Sequence, residues 1–150
     1  MPSGTALGYS IIMLMTGIGI PVMAALNGQL GVRLGNPAAA SVILFLSALL
    51  IAIAATGVVG LPDLARLRAA PVHLFFSGAF VAFYVLSITW IGPRFGIGNA
   101  VFLVLLGQIV AAAMIDHFGL FGVPRSPLTA LRISGMVVMT IGVIMARRIG

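Results

Sequence analysis

The sequence predicts an all-α integral membrane protein: five transmembrane helices forming a single membrane domain over residues 1–150. Three observations carry this. The composition is 61% hydrophobic and 7% charged with mean hydropathy +1.25, and a soluble domain of this size has too much surface to hide so many apolar side chains. Five apolar runs approach the roughly 20 residues needed to cross ~30 Å of hydrocarbon. The basic residues, all Arg, are spread between those runs and form no patch, which suits anchoring at lipid headgroups and argues against a nucleic-acid partner.

The first run covers residues 7–26. The segment before it, Met1 to Ala6, has no basic residue, so the run is expected to be retained rather than cleaved as a signal peptide. Pro21 lies inside it, just after Gly17 and Gly19, and removes one backbone hydrogen bond, so a bend is expected. Bent helices often line the substrate site of transporters, although ordinary kinks are common in membranes. The second run, 38–59, follows Asn36-Pro37, with Pro37 suited to a first helical turn. A polar stretch with Pro62, Asp63, Arg66, Arg68 and Pro71 precedes the third run, 72–91. The glycines of the next segment, Gly92 to Gly98, lack the preceding strand and the Lys-Ser/Thr ending of a phosphate loop, and predict a tight helical hairpin. The fourth run is 97–115. Gly119, Gly122, Pro124 and Pro127 break the chain before the fifth, 128–146. There Arg132 falls in the first turn and must snorkel outward, and Arg147 and Arg148 cap the end. Each run is helical by elimination, because lipid offers no partners to backbone amides and the runs do not alternate as barrel strands do.

Counting along these spans places Arg66, Arg68, Arg125 and Arg132 on the face of the N-terminus, and Arg33, Arg94, Arg147 and Arg148 on the other. An excess of cationic residues in cytoplasmic loops normally fixes orientation. A tie predicts dual insertion and an antiparallel homodimer of ten helices; a fixed orientation with a bias too small to count is the alternative. Helices in lipid associate through close backbone packing. Ala40, Ala48, Ala52, Thr56 and Gly60 form one stripe of small residues. Gly78 with Ala82, Gly107 with Ala111, and Gly135 with Gly142 and Ala146 form others. Whether these faces meet within one chain or between two is open at this level.

Polar residues within lipid need a partner or water and point to function. Gln108, near the middle of the fourth run, can both donate and accept, which suits a neutral or zwitterionic ligand; interhelical glue is the other reading. Pro21, Asn27, Asn99 and Tyr84 complete the candidate substrate site, with Asn99 equally placed to cap a helix. Gln29 follows Asn27, and Ser87, Thr89 and Trp90 follow Tyr84. Trp90 and Tyr9 fall near span ends, where aromatic belts are expected, and most Ser and Thr should bond back to their own helix. Asp116-His117 closes the fourth run, where a carboxylate meets the negative end of the helix dipole. Arg125 or Arg132 is expected to compensate it, as a structural ion pair or as part of a proton-coupling group. Met13, Met15 and Met23 could form an adaptable apolar wall or simply face lipid.

The chain has no Cys, so no disulfide or thiol chemistry is expected. The scattered His and Asp suggest no metal site. No nucleophile–base–acid set can be assembled. No enzyme and no cofactor are therefore expected. The expected partners are membrane lipids, a second copy of the chain and a small-molecule substrate.

Two stretches carry a family resemblance: GIGIPVMAALNGQLGVRLGNPAAA (17–40) and GPRFGIGNAVFLVLLGQIVAAAMIDHFGLFGVPRSP (92–127). They resemble the YdcZ-like family of the drug/metabolite transporter superfamily. The resemblance covers nearly the whole chain. It implies a multi-pass transporter of the bacterial inner membrane, in a superfamily whose short members form antiparallel pairs, with Asn27, Gln108 and Asp116 at motif positions. The chain departs from that pattern at Met23, where many relatives place Gln. It also lacks the first-helix Glu with which the small multidrug resistance cousins exchange protons for cations. A neutral or anionic solute is thus as well suited as a cation. The expected function is a small secondary transporter working by alternating access; a passive channel and a non-transporting membrane scaffold are the rivals.

Overall fold

The computed structural model describes residues 3–146. Among them the chain forms helices and connecting turns, with no strand. The predicted cap at Arg147 and Arg148 lies outside the described residues, as do Met1 and Pro2. Four segments are long and apolar enough to cross a membrane: Thr5–Arg33, Pro37–Val59, Val72–Phe95 and Ile97–Phe118. The fifth expected span is a shorter apolar helix of 17 residues, Ala130–Ala146. The chain divides into two compact units between Arg94 and Phe95, and each is described by itself.

The first unit begins with α1, Ser3–Arg33. It runs as helix through Pro21 and beyond residue 26, where the apolar run ends, so Asn27 and Gln29 are interior helical residues rather than terminal ones. Its end is set by backbone geometry. Gly35 takes φ +62°, a left-handed conformation that costs Gly little. This lets Asn36 N–H reach the Gly31 carbonyl (3.1 Å) and Gly35 N–H the Val32 carbonyl (3.1 Å), which is the Schellman pattern. Asn36 then caps α2, Pro37–Val59, its Oδ1 accepting from Ala39 N–H at 3.0 Å, and Pro37 takes the first turn as expected. The polar stretch that follows contains a short helix, α3, Leu64–Ala69, capped by the Asp63 side chain through Ala65 N–H at 2.9 Å. A 3-10 turn, Val72–Phe76, leads into α4, Ser77–Phe95.

The core of this unit is small. On α1, Ala24, Asn27, Gly28 and Gly31 are buried, and their spacing places them on one helix face. On α2 the buried residues are Ala40 and Ser41, and on α4 they are Val85, Ile88, Thr89 and Gly92. The approach is close: a Cβ on Gly31 would stand 3.2 Å from both Pro37 Cα and Thr89 Cγ2, and one on Gly28 would stand 3.2 Å from Pro93 Cγ. This is the small-residue packing that membrane helices use, but at a place the sequence reading passed over. Of the stripe read on α2, only Ala40 is buried; Ala48, Ala52, Thr56 and Gly60 stay exposed.

The second unit holds α5, Ile97–Phe118, and α6, Ala130–Ala146. Gly96, with φ +91°, is the single residue between α4 and α5. The α5 helix extends past residue 115, so Asp116 and His117 fall in its last turn. Gly119 ends it in the left-handed region, donating its N–H to the Ile115 carbonyl. A 3-10 turn, Leu120–Gly122, follows. Thr129 caps α6: its Oγ1 accepts from Arg132 N–H at 3.2 Å and its carbonyl from Ile133 N–H at 3.0 Å. Gly107, Ala111, Gly135 and Gly142 are exposed. Ser10, Thr16, Ser41, Thr56 and Thr140 each donate to the carbonyl four residues back, as residues of this type do inside membrane helices.

Candidate functional site

In the first unit, Asn27 sits between two environments. Its Nδ2 donates to Thr89 Oγ1 at 2.7 Å, and both residues are buried, at 5% and 1% exposure. In a medium of low dielectric such a bond is strong, and expensive to leave unmade. Asn27 also lines a cleft of about 320 Å³ with Met23, Leu26, Leu30, Ile43 and Ser47. Of the methionines suggested as an apolar wall, Met23 lines this cleft, whereas Met13 and Met15 are exposed. Pro21 is half-buried on the same helix. On α4, the Tyr84 hydroxyl is buried without a hydrogen-bond partner among the described residues. Trp90 is exposed, and the Arg94 guanidinium lies 5.2 Å from its ring centroid while donating to its carbonyl. That is the cation–aromatic pairing expected at a membrane boundary.

The second unit distributes its candidates differently. Asn99 Nδ2 donates to the Phe95 carbonyl at 3.1 Å, so its amide serves the end of the preceding helix. Gln108 is exposed on α5, and no group among the described residues bonds its side chain. Asp116 and Arg132 form an ion pair, Oδ2 to Nη2 2.5 Å, with side chains 32% and 37% exposed. Arg125 goes elsewhere, its Nε donating to the His117 carbonyl at 3.1 Å. His117 Nδ1 accepts from Leu128 N–H at 3.1 Å, which places the imidazole proton on Nε2. Ser126 N–H adds a bond to the Asp116 carbonyl at 2.8 Å. Carbonyls that would be orphaned at the α5 terminus are thus answered by the loop that follows. A cleft of about 400 Å³ between α5 and α6 is lined by Ile109, Ala113, Arg132, Gly135, Met136 and Met139.

Two clusters therefore emerge. Asn27 and Thr89 belong to one, and Asp116, His117, Arg125 and Arg132 to the other. Tyr84 and Gln108 keep unspent hydrogen-bonding groups. Both carboxylates are engaged, Asp63 at a helix cap and Asp116 with Arg132. Within the apolar runs, the recognition chemistry left over is that of the Tyr84 hydroxyl and the Gln108 amide, which read neutral or zwitterionic groups. Among the described residues no group of three His, Cys, Asp or Glu comes together in metal-ligating geometry. Sequence reasoning missed Thr89 as the partner of Asn27 and Gly28 and Gly31 as the packing face. The spacing Ala24, Gly28, Gly31 was the available signal.

A family model described as "Putative inner membrane exporter, YdcZ" matches residues 8–145. No curated protein and no solved structure matches the chain.

Proposed function

The chain belongs to the YdcZ family of inner-membrane proteins, and from that premise we propose that it is a small secondary transporter of a small solute, working by alternating access as an antiparallel homodimer. In this reading each copy is a single membrane domain in which α6 supplies the fifth crossing, its 17 residues standing at the short end of the range that spans hydrocarbon, about 17–25. Two copies bring ten helices and enclose a site near Pro21, Asn27, Tyr84, Asn99 and Gln108.

The observation that carries the reading is Gln108. An amide exposed at mid-helix in lipid is costly until something bonds it. Gly107, Ala111 and Ala112, small and exposed beside it, would allow another helix to come close. A second copy satisfies the amide in one state and a solute satisfies it in another. Asp116 and Arg132 remain a structural pair holding α5 to α6.

The test is reconstitution. A thermal-shift screen of purified protein against metabolites selects a ligand, because binding to the native state raises apparent stability. Proteoliposomes then show saturable counterflow of that ligand, and Gln108→Ala reduces it to background with little change in unfolding midpoint. Conductance at channel rates, or assembly altered with no flux at all, would replace the transporter by its rivals. The absence of native Cys makes orientation directly measurable. Leu34→Cys and Leu67→Cys should each label from both sides of intact cells, and labelling from one side only excludes opposed copies.

A further inference from the structure

Beside the α1–α2 turn lies a cleft of about 380 Å³, separate from the one that Asn27 lines. Its walls are Gly31 and Val32 of α1, Pro37 of α2, and Thr89, Pro93 and Arg94 of α4. We propose that this cleft binds a phosphate-bearing anion at headgroup depth, the chemistry shared by an anionic phospholipid headgroup and free phosphate.

Depth is argued from the residues around it. Arg33 and Arg94 occupy the last turns of α1 and α4, and exposed Trp90 precedes Arg94 by one turn. Cationic and aromatic residues grouped in this way mark the hydrocarbon–headgroup boundary. Charge is argued from the chain's acids. The two Asp residues are committed to the α3 cap and to Arg132, so no carboxylate among the described residues neutralises Arg94. Its guanidinium gives one donor to the Trp90 carbonyl and lies against the ring. The rest of its five donors remain for an anion, and a guanidinium fork matches phosphate geometry. Thr89, 1% exposed, also forms part of the wall. Its oxygen accepts from Asn27, and no acceptor among the described residues takes its own hydrogen, so it can donate to a ligand oxygen. Val32, Pro37 and Pro93 supply an apolar wall for a glycerol carbon. The volume accommodates a phosphate and a short stub, while acyl chains would stay outside, against exposed Ile91 on the hydrocarbon side of Arg94.

Trp90 is the only tryptophan in the sequence and touches Arg94, so its fluorescence reports the site. Purified full-length protein in maltoside micelles is titrated with phosphatidylglycerol, with dioleoylglycerol, which has the same acyl chains and no phosphate, and with inorganic phosphate. A saturable change with phosphatidylglycerol and none with dioleoylglycerol is expected. Arg94→Gln should raise the half-saturation point by about tenfold, Thr89→Val by less, and Arg66→Gln on α3 should leave it unchanged. Because Arg94→Gln also alters the surroundings of Trp90, phosphatidylglycerol retained through purification is counted by mass spectrometry and should fall in step. A matching response to inorganic phosphate identifies the source as the free anion; a response confined to phosphatidylglycerol identifies it as lipid. Equal responses to phosphatidylglycerol and dioleoylglycerol, no response to any of the three, or retention unaffected by Arg94→Gln would overturn the site.

Discussion

Between α1 and α2 the chain turns within residues 34–36 using mostly backbone atoms; between α5 and α6 it takes residues 119–129 and relies more on side chains. The first junction rests on the left-handed Gly35, the Asn36 cap and a glycine face at Gly31, where a Cβ would stand 3.2 Å from both Pro37 Cα and Thr89 Cγ2. The second rests on the Asp116–Arg132 pair, the bond from Leu128 N–H to His117 and that from Arg125 to the His117 carbonyl. A closure made by shape has no spare part, whereas one made by several polar contacts can lose a member and keep the rest. The first junction should therefore be brittle and the second tolerant everywhere but at Gly119, whose φ of +64° matches that of Gly35 in kind.

The sharpest test is steric. Gly31→Leu forces side-chain atoms against Pro37 Cα and Thr89 and should destabilise by about 3 kcal/mol, at the upper end of overpacking costs. Gly142→Leu on α6, where a Cβ meets nothing within 4 Å, should stay within about 0.5 kcal/mol. Unfolding midpoints in detergent decide this, and equal losses would break the contrast. Next comes Thr89→Val, which removes the acceptor of the Asn27 amide at nearly constant shape. The expected loss is about 1–2 kcal/mol, the cost of an unmet buried donor, and Asn27→Ala in the same background should add little. Gly35→Ala should cost about 1 kcal/mol, because φ +62° brings a Cβ close to the neighbouring carbonyl. The smallest effect belongs to the second junction. A double-mutant cycle of Asp116→Asn with Arg132→Gln should return a coupling of about 1 kcal/mol or less, since both side chains are about one-third exposed and exposed pairs contribute little. A coupling well above the Thr89→Val loss would reverse the ranking of the two junctions.

The same division explains what could be read from the sequence. Apolar runs locate helices because burial in lipid is the dominant constraint, and Asn36-Pro37 announces a helix start because a cap is local chemistry. Helix ends were less legible. Hydropathy stops at residue 26, but α1 continues to Arg33 because an amide such as Asn27 interrupts apolarity without interrupting backbone bonding. The choice of Arg132 over Arg125 as the partner of Asp116 depends on how the loop after Gly119 folds back, which spacing does not encode. The Asn27–Thr89 bond joins residues 62 positions apart, and neither side chain identifies the other in a single sequence. Small-residue stripes were visible on several helices, yet the face that closes within the first unit is the one built around Gly28 and Gly31. Composition lists the residues able to pack closely, and tertiary context selects among them.

Two of the spans match in length: at 1.5 Å per residue the 23 residues of α2 extend about 34 Å and the 22 of α5 about 33 Å. A bilayer whose hydrocarbon departs from that thickness strains both, and each ångström of mismatch costs a fraction of a kcal/mol. Stability in vesicles of graded acyl-chain length should therefore pass through a maximum, and a steady rise or fall across the series would show that these spans do not set the preference. On this account the protein is tuned to a particular lipid thickness, and a change in fatty-acid composition would act on it with no ligand involved.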